Sequence, residues 1–244
     1  MRTFIFSFLM LLSFLSPIAA KEKLPVIFSE KIETPPLIDG NPQDNCWKSI
    51  PFTQVSTEKD LNIKVCHDDK NIYVMLSFTA PQELRHQGRW QWDKGLNAYL
   101  TENEKEENMH VFIFPIISSE KPGDLWIWRA GRTDPSGFAE DLYFYGKDKN
   151  IIINYDSGAI CWYSRYFGKF AGEKLPRFFQ RTPTGSAADV RARGKWSDGK
   201  WVLEFTRKLK TGNNDDLDID LNDGTLMRFS ENGTSIILRK RAEK

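Results

Sequence analysis

The sequence is poor in the residues from which most metal and nucleophile chemistry is built. Its 244 residues include 3 histidines and 3 cysteines. The histidines, His67, His86 and His110, are spread along the chain, so a multi-histidine metal site would consume nearly all of them. The cysteines, Cys46, Cys66 and Cys161, form neither CxxC nor CxxCH. That leaves a zinc ribbon and covalent c-type haem attachment unsupported. An odd count allows one disulfide in an exported protein and leaves one thiol over, with the pairing open. No phosphate-binding glycine loop and no nucleophile–base pair argues for a free-standing enzyme.

An excess of charge of either sign is also missing. There are 34 basic and 33 acidic residues, a net charge of +1. A balance this even argues against a nucleic-acid partner or an anionic membrane surface. Beyond the N-terminus no apolar run approaches the roughly eighteen residues that a membrane span needs. Internal repeats and a helical domain are absent as well.

What the chain does have begins with a leader. Arg2 is a basic start, Phe4–Leu15 an apolar run, and Ser16-Pro17-Ile18-Ala19-Ala20 a small-residue end before Lys21. Residues 1–20 read as a secretory signal peptide whose apolar core is too short to span a bilayer. Residues 21–244 are then one domain of about 224 residues, enough for a single well-cored unit.

Within that domain the period is two. Leu61–Cys66 and Ile72–Phe78 alternate around a polar hairpin loop that holds His67 as a solvated residue. Met109–Ile117 is strongly β, with Pro115 near its end. Ile151–Tyr155, Thr225–Phe229 and Thr234–Arg239 are further strands, and Ala188–Lys195 with Lys200–Thr206 make a hairpin across Ser197-Asp198-Gly199. Lys21–Thr34 reads as a polar lead-in. Pro35–Trp47 reads as a clasp that delivers Trp47 to the core. Two aromatic stretches read as long loops: Ala80–Gly95, with Arg85, His86, Arg89, Trp90 and Trp92, and Ser157–Pro183, a cationic aromatic flap. Asp215–Asp220 has the composition of a calcium loop without EF-hand spacing, and reads as solvated. Asn232-Gly233-Thr234 matches a glycosylation acceptor. The sum is a predominantly antiparallel β-sandwich.

The most informative stretch is Asp124–Asp141. Alternation places Trp126 and Trp128 on one face of a strand, and Ile127 and Arg129 on the other. Two readings stay open: the tryptophans pack a core, or they wall a ligand slot with Arg129 and Arg132 aimed at an anionic group.

Three motifs in order carry a resemblance. Pro36-Leu-Ile-Asp-Gly40 with Asp44 and Trp47 is similar to the N-terminal signature of family 9 carbohydrate-binding modules and their relatives. Asp124-Leu-Trp-Ile-Trp-Arg-Ala130, with Arg132-Thr-Asp-Pro135 and Gly137-Phe-Ala-Glu-Asp141, resembles the ethylbenzene-dehydrogenase-related haem-binding domain. That domain also occurs in cytochrome-c-like and dimethyl-sulfoxide-reductase-like systems. Gly194–Trp201, with Glu204-Phe205, Arg207-Lys-Leu209 and Thr211-Gly212, resembles its C-terminal half. The resemblance implies a single immunoglobulin- or jelly-roll-type sandwich in the periplasm that holds haem b and passes electrons to a partner redox enzyme. It implies Met109 or His110, only one of which can point inward, as an iron ligand. It also implies Trp126 and Trp128 as slot walls, and Arg129 and Arg132 as propionate partners. Where the family offers a second ligand, a lysine or histidine shortly before the last strand, this chain reads Met227-Arg-Phe-Ser-Glu-Asn-Gly-Thr234. Lys208 and Lys210 lie earlier, and a histidine found between the tryptophans of many members is here Ile127. The same architecture also implies an alternative ligand, a saccharide stacked on paired tryptophans such as Trp90 and Trp92 or Trp126 and Trp128. A third reading is an interaction protein that holds neither.

Overall fold

A computed structural model describes residues 24–85, 88–102, 107–114, 122–146, 151–229 and 233–241. The leader, His86, Pro115–Ile117 and Asn232 lie outside the described residues. Alternation and β-branched or aromatic side chains make strands nearly throughout. In chain order they are β1 (Val26–Lys31), β2 (Thr53–Ser56), β3 (Leu61–His67), β4 (Asn71–Thr79), β5 (Arg89–Asp93), β6 (Ala98–Thr101), β7 (Met109–Phe114), β8 (Gly123–Arg129), β9 (Glu140–Tyr145) and β10 (Ile152–Tyr155). They continue with β11 (Gly158–Ala159), β12 (Trp162–Ser164), β13 (Lys174–Pro176), β14 (Phe178–Gln180), β15 (Thr184–Gly185), β16 (Arg191–Ser197), β17 (Lys200–Lys208), β18 (Thr225–Phe229) and β19 (Ser235–Lys240).

One sheet runs β10-β9-β8-β7-β18-β19-β1-β3-β4-β17-β16, with β2 added to β3. It curls so that its two halves face each other, and the fold is an all-β sandwich. Facing aromatic rings show the closure: Phe112 of β7 meets Phe205 of β17 at 4.9 Å, and Trp128 of β8 meets Trp201 of β17 at 4.8 Å. A large apolar core fills the gap, and Trp126, Trp128, Trp201, Phe112 and Phe205 are completely buried in it. The outer face of β7–β9 carries a second cluster, Val111, Ile113, Leu125, Ile127, Leu142 and Phe144. On the outer face of the opposite half, Trp47, Ile50, Cys66, Tyr73 and Met75 form a third.

The clasp makes that third cluster. Its single helical turn, Asn45–Lys48, buries Trp47. The Trp47 indole donates to Glu204 Oε1 at 2.6 Å, while the Asp39 and Gly40 amides donate to Glu204 Oε2 at 2.9 and 2.7 Å. Gly40 has φ +79°, and a Cβ there would stand 2.7 Å from the Lys195 amide, so only glycine fits.

Five expectations need correction. The lead-in is a strand: β1 pairs parallel with both β19 and β3, and Ser29 bonds His67 at 2.8 Å, so His67 is buried rather than solvated. The supposed loop over Ala80–Gly95 contains β5, whose partners β6 and β13 make a separate three-stranded sheet. Ser157–Pro183 likewise folds into short paired strands. Asp216, in the acidic run read as solvated, is buried. All three cysteines are free thiols, with Cys46 packed beside buried Cys66.

Candidate functional site

The β7–β8 register decides which sequence candidates meet. Met109 is paired with Arg129, and His110 with Trp128. Paired residues of an antiparallel ladder share a face, so Met109 and Arg129 face outward while His110 and Trp128 face the core. Met109 is 39% exposed. His110 is fully buried among Phe78, Phe112 and Phe229.

On the outer face a charged seam runs along the edge of the sheet. Arg129 Nε donates to Glu140 Oε1 at 2.8 Å, and the same oxygen accepts the Trp162 indole N–H at 2.8 Å. A second nitrogen of Arg129 lies 2.9 Å from the Met109 sulfur. Burial disfavours the Arg129 charge, but Glu140 and then Glu107 outweigh it and hold the guanidinium protonated. Arg132 pairs with Glu107, whose other oxygen takes the Gly131 and Arg132 amides at 2.9 and 3.0 Å. The Arg132 guanidinium also lies over the rings of Trp162 and Phe178, at 5.3 and 4.8 Å.

Those two rings belong to the flap, which covers the seam and presents a second surface. Trp90 and Trp92 alternate onto one face of β5. Tyr166 meets Trp90 edge-on at 5.6 Å, and Phe170 meets Trp92 at 5.3 Å. The Trp90 indole donates to the Arg165 carbonyl at 2.6 Å, the Tyr99 hydroxyl donates to the Gly172 carbonyl at 2.8 Å, and Arg177 lies 5.1 Å over Trp90. The scaffold is thus tied down, yet Tyr166 and Phe170 remain 63% and 58% exposed.

The six sequence candidates therefore split between two faces. Met109, Arg129 and Arg132 lie on the outer side; His110, Trp126 and Trp128 lie in the core. The tryptophans pack in the core: Trp128 packs on Trp201 and donates to Asp134 at 3.0 Å, and Trp126 packs on Phe112 and Phe114. The sequence reading missed Glu107, Glu140 and Trp162, which match the arginines. Period-two alternation could have placed Glu140 opposite Ile127, on Arg129's face. Nothing local signals Glu107 or Trp162.

A haem b asks for an apolar slot, cations free for its propionates, and axial ligands. Here Arg129 and Arg132 are matched by glutamates, and Met227 is buried in the core on the side opposite Met109. Lys208 and its neighbour Lys210 belong to the facing half of the sheet and the loop after it. Of the ligands the sequence offers among the described residues, Met109 alone lies on the outer face of the β7–β8 half. These residues do not fit a haem held by two protein ligands.

Among the described residues no helix is long and apolar enough to cross a membrane. Comparison with curated proteins gives no match. Two solved structures of a family 9 carbohydrate-binding module from Caldicellulosiruptor kristjanssonii are similar at 12% identity. The glucose complex has a TM-score of 0.39 and covers 90% of this chain and 98% of the other. The cellotriose complex has a TM-score of 0.37, with 89% and 95% covered. The family model described as ethylbenzene dehydrogenase matches residues 93–230, which include β7, β8, β9, the seam, most of the flap and the β16–β17 hairpin. The chain belongs to the ethylbenzene dehydrogenase family.

Proposed function

We propose that this chain is an exported, periplasmic, non-catalytic binding module of its family, and that it takes a saccharide on the aromatic face of the flap. The observation that carries the reading is the row Tyr166–Trp90–Trp92–Phe170, whose outer rings stay open on a scaffold fixed by hydrogen bonds. An exposed cluster of large rings on one face marks a binding surface. Pyranose C–H faces stack on such rings, and Arg165 and Arg177, which flank them, supply donors for hydroxyl groups.

The test is retention of the protein on immobilised soluble polysaccharides, with titration by oligosaccharides. Binding lost in Tyr166→Ala and Phe170→Ala, with unchanged melting temperature, supports the reading. Wild-type protein that ignores a broad saccharide panel overturns it.

A second reading is kept for one observation: Met109 offers a partly exposed thioether inside the family-matched segment. On this reading the module binds haem b and serves a partner redox enzyme, with Met109 as ligand. A Soret band on haemin titration that disappears in Met109→Ala and survives in His110→Ala, together with no saccharide retention, transfers the function to haem.

A further inference from the structure

The two ends of the Asp124–Asp141 motif meet inside the sandwich. Asp124 pairs with Phe114, and Asp141 with Trp126, so both carboxylates point to the inner face. Asp156 follows β10, and its amide bonds the Asp141 carbonyl at 3.2 Å. Asp215 and Asp216 come in from the loop after β17. Oxygens of Asp124, Asp141 and Asp216 lie within 4.8 Å of one another, as do oxygens of Asp156, Asp215 and Asp216. Asp124, Asp141, Asp156 and Asp216 are all at most 3% exposed.

The counter-charge at this point is Arg207, which pairs with Asp124 and lies 3.2 Å from Asp216. Asp215 is satisfied by the Ser157 amide and the Ser186 hydroxyl, each at 2.8 Å. Asp141 is not satisfied: it is fully buried, and neither carboxylate oxygen has a hydrogen-bond partner. Both oxygens of Asp156 and one of Asp124 are in the same condition. Buried carboxylates without partners are costly, and several beside one guanidinium repel each other.

We propose that these aspartates hold a divalent cation, calcium, between the two halves of the sandwich. The ligand set is all oxygen, with neither the nitrogen nor the sulfur that zinc prefers. The carboxylates arrive from four separate segments without regular symmetry. Calcium accepts such irregular cages of six to eight oxygens, whereas magnesium asks for a near-ideal octahedron and retains several waters. Ligand atoms at about 2.4 Å from one ion can stand up to about 4.8 Å apart, and the oxygens of each group lie within 4.8 Å of one another. The ion joins β8, β9, the residue after β10 and the Asp215–Asp216 loop. The site shares no residue with the aromatic row of Trp90, Trp92, Tyr166 and Phe170, so saccharide binding and calcium binding are tested independently.

The experiment uses the whole mature protein after chelator treatment and dialysis. Calorimetric titration with calcium chloride should show one ion per chain and raise the melting temperature by several degrees, with magnesium far less effective. Asp141→Asn should weaken binding by about tenfold or more, while Asp223→Asn, an exposed control, leaves it unchanged. Terbium in place of calcium should emit by energy transfer when tryptophan is excited, because Trp126 packs under Arg207 at 5.2 Å. Trp126→Phe should reduce that emission. If Asp141→Asn does not fold, Asp156→Asn replaces it. Wild-type protein that takes up no calcium, or aspartate variants that bind it as well as wild type, overturn the proposal.

Discussion

Glu140 is the most exacting residue of the outer seam. It is 1% exposed and holds both the Arg129 guanidinium and the Trp162 indole. Removing its charge strands a buried guanidinium, a change that typically costs about 3–5 kcal/mol. Glu140→Gln should therefore lower stability in urea unfolding by that order, and Glu107→Gln by less, because Arg132 keeps its two aromatic contacts. Trp128→Ala should cost about 3–5 kcal/mol through the cavity it leaves against Trp201. It would thus destroy saccharide binding only by unfolding, whereas Tyr166→Ala would do so in a folded protein. The thiols follow burial too. Desolvation pushes Cys161 up to about 11, and Cys66 is raised further. Both should resist a thiol reagent until denaturant opens the chain, with exposed-side Cys46 labelled first.

Among the elements, those that could be read from the sequence are the longer strands, rich in β-branched and aromatic residues. β3, β4, β7, β8 and β17 each bury an apolar row, and alternation located them. β1 escaped because its polarity does not follow its burial: apolar Val26 and Phe28 are exposed, while polar Ser29 is buried beside Ile27. A parallel strand held by distant partners leaves little local signal. The flap strands escaped because two- and three-residue pairings carry no period. The candidate site was legible to the same degree. Met109, Arg129 and Arg132 share a region that the motif marked, but their partners Glu107 and Trp162 are brought in by tertiary folding. The inner aspartates were half visible: Asp124 and Asp141 bound the motif, yet nothing tied them to the Asp215–Asp216 loop. Within β8, Gly123 faces the ring of Phe144, and a Cβ there would come within 2.2 Å of it. Gly123→Ala should displace β9 and destabilise the protein by about 1–3 kcal/mol, measured by thermal melting.

At the scale of the whole molecule, Glu204 ties the N-terminal clasp to the central sheet. Burial, opposed by its three N–H partners, raises its carboxyl from the ordinary value of 4.5 to about 7. A carboxyl whose pKa is higher folded than unfolded contributes stability that is full below the unfolded value. That stability is lost as pH rises through the folded value. Wild-type protein should therefore lose melting temperature between about pH 5 and pH 8 relative to Glu204→Gln, measured at constant saturating calcium. The opposite slope in that difference would show that the three donors dominate the burial.

β1 has a last consequence, for the order of events in the life of the chain. Val26–Ser29 pair with β19, and Glu30–Lys31 with β3, so this one strand joins the two halves of the sheet. Its main partner is the last strand of the described chain, some two hundred residues later. A polypeptide emerging N-terminus first from a ribosome presents β1 some two hundred residues before β19. Hairpins such as β3–β4 and β16–β17 can form on the way. The seam between the halves must wait until β19 has emerged, so its closure is a late, long-range step of folding.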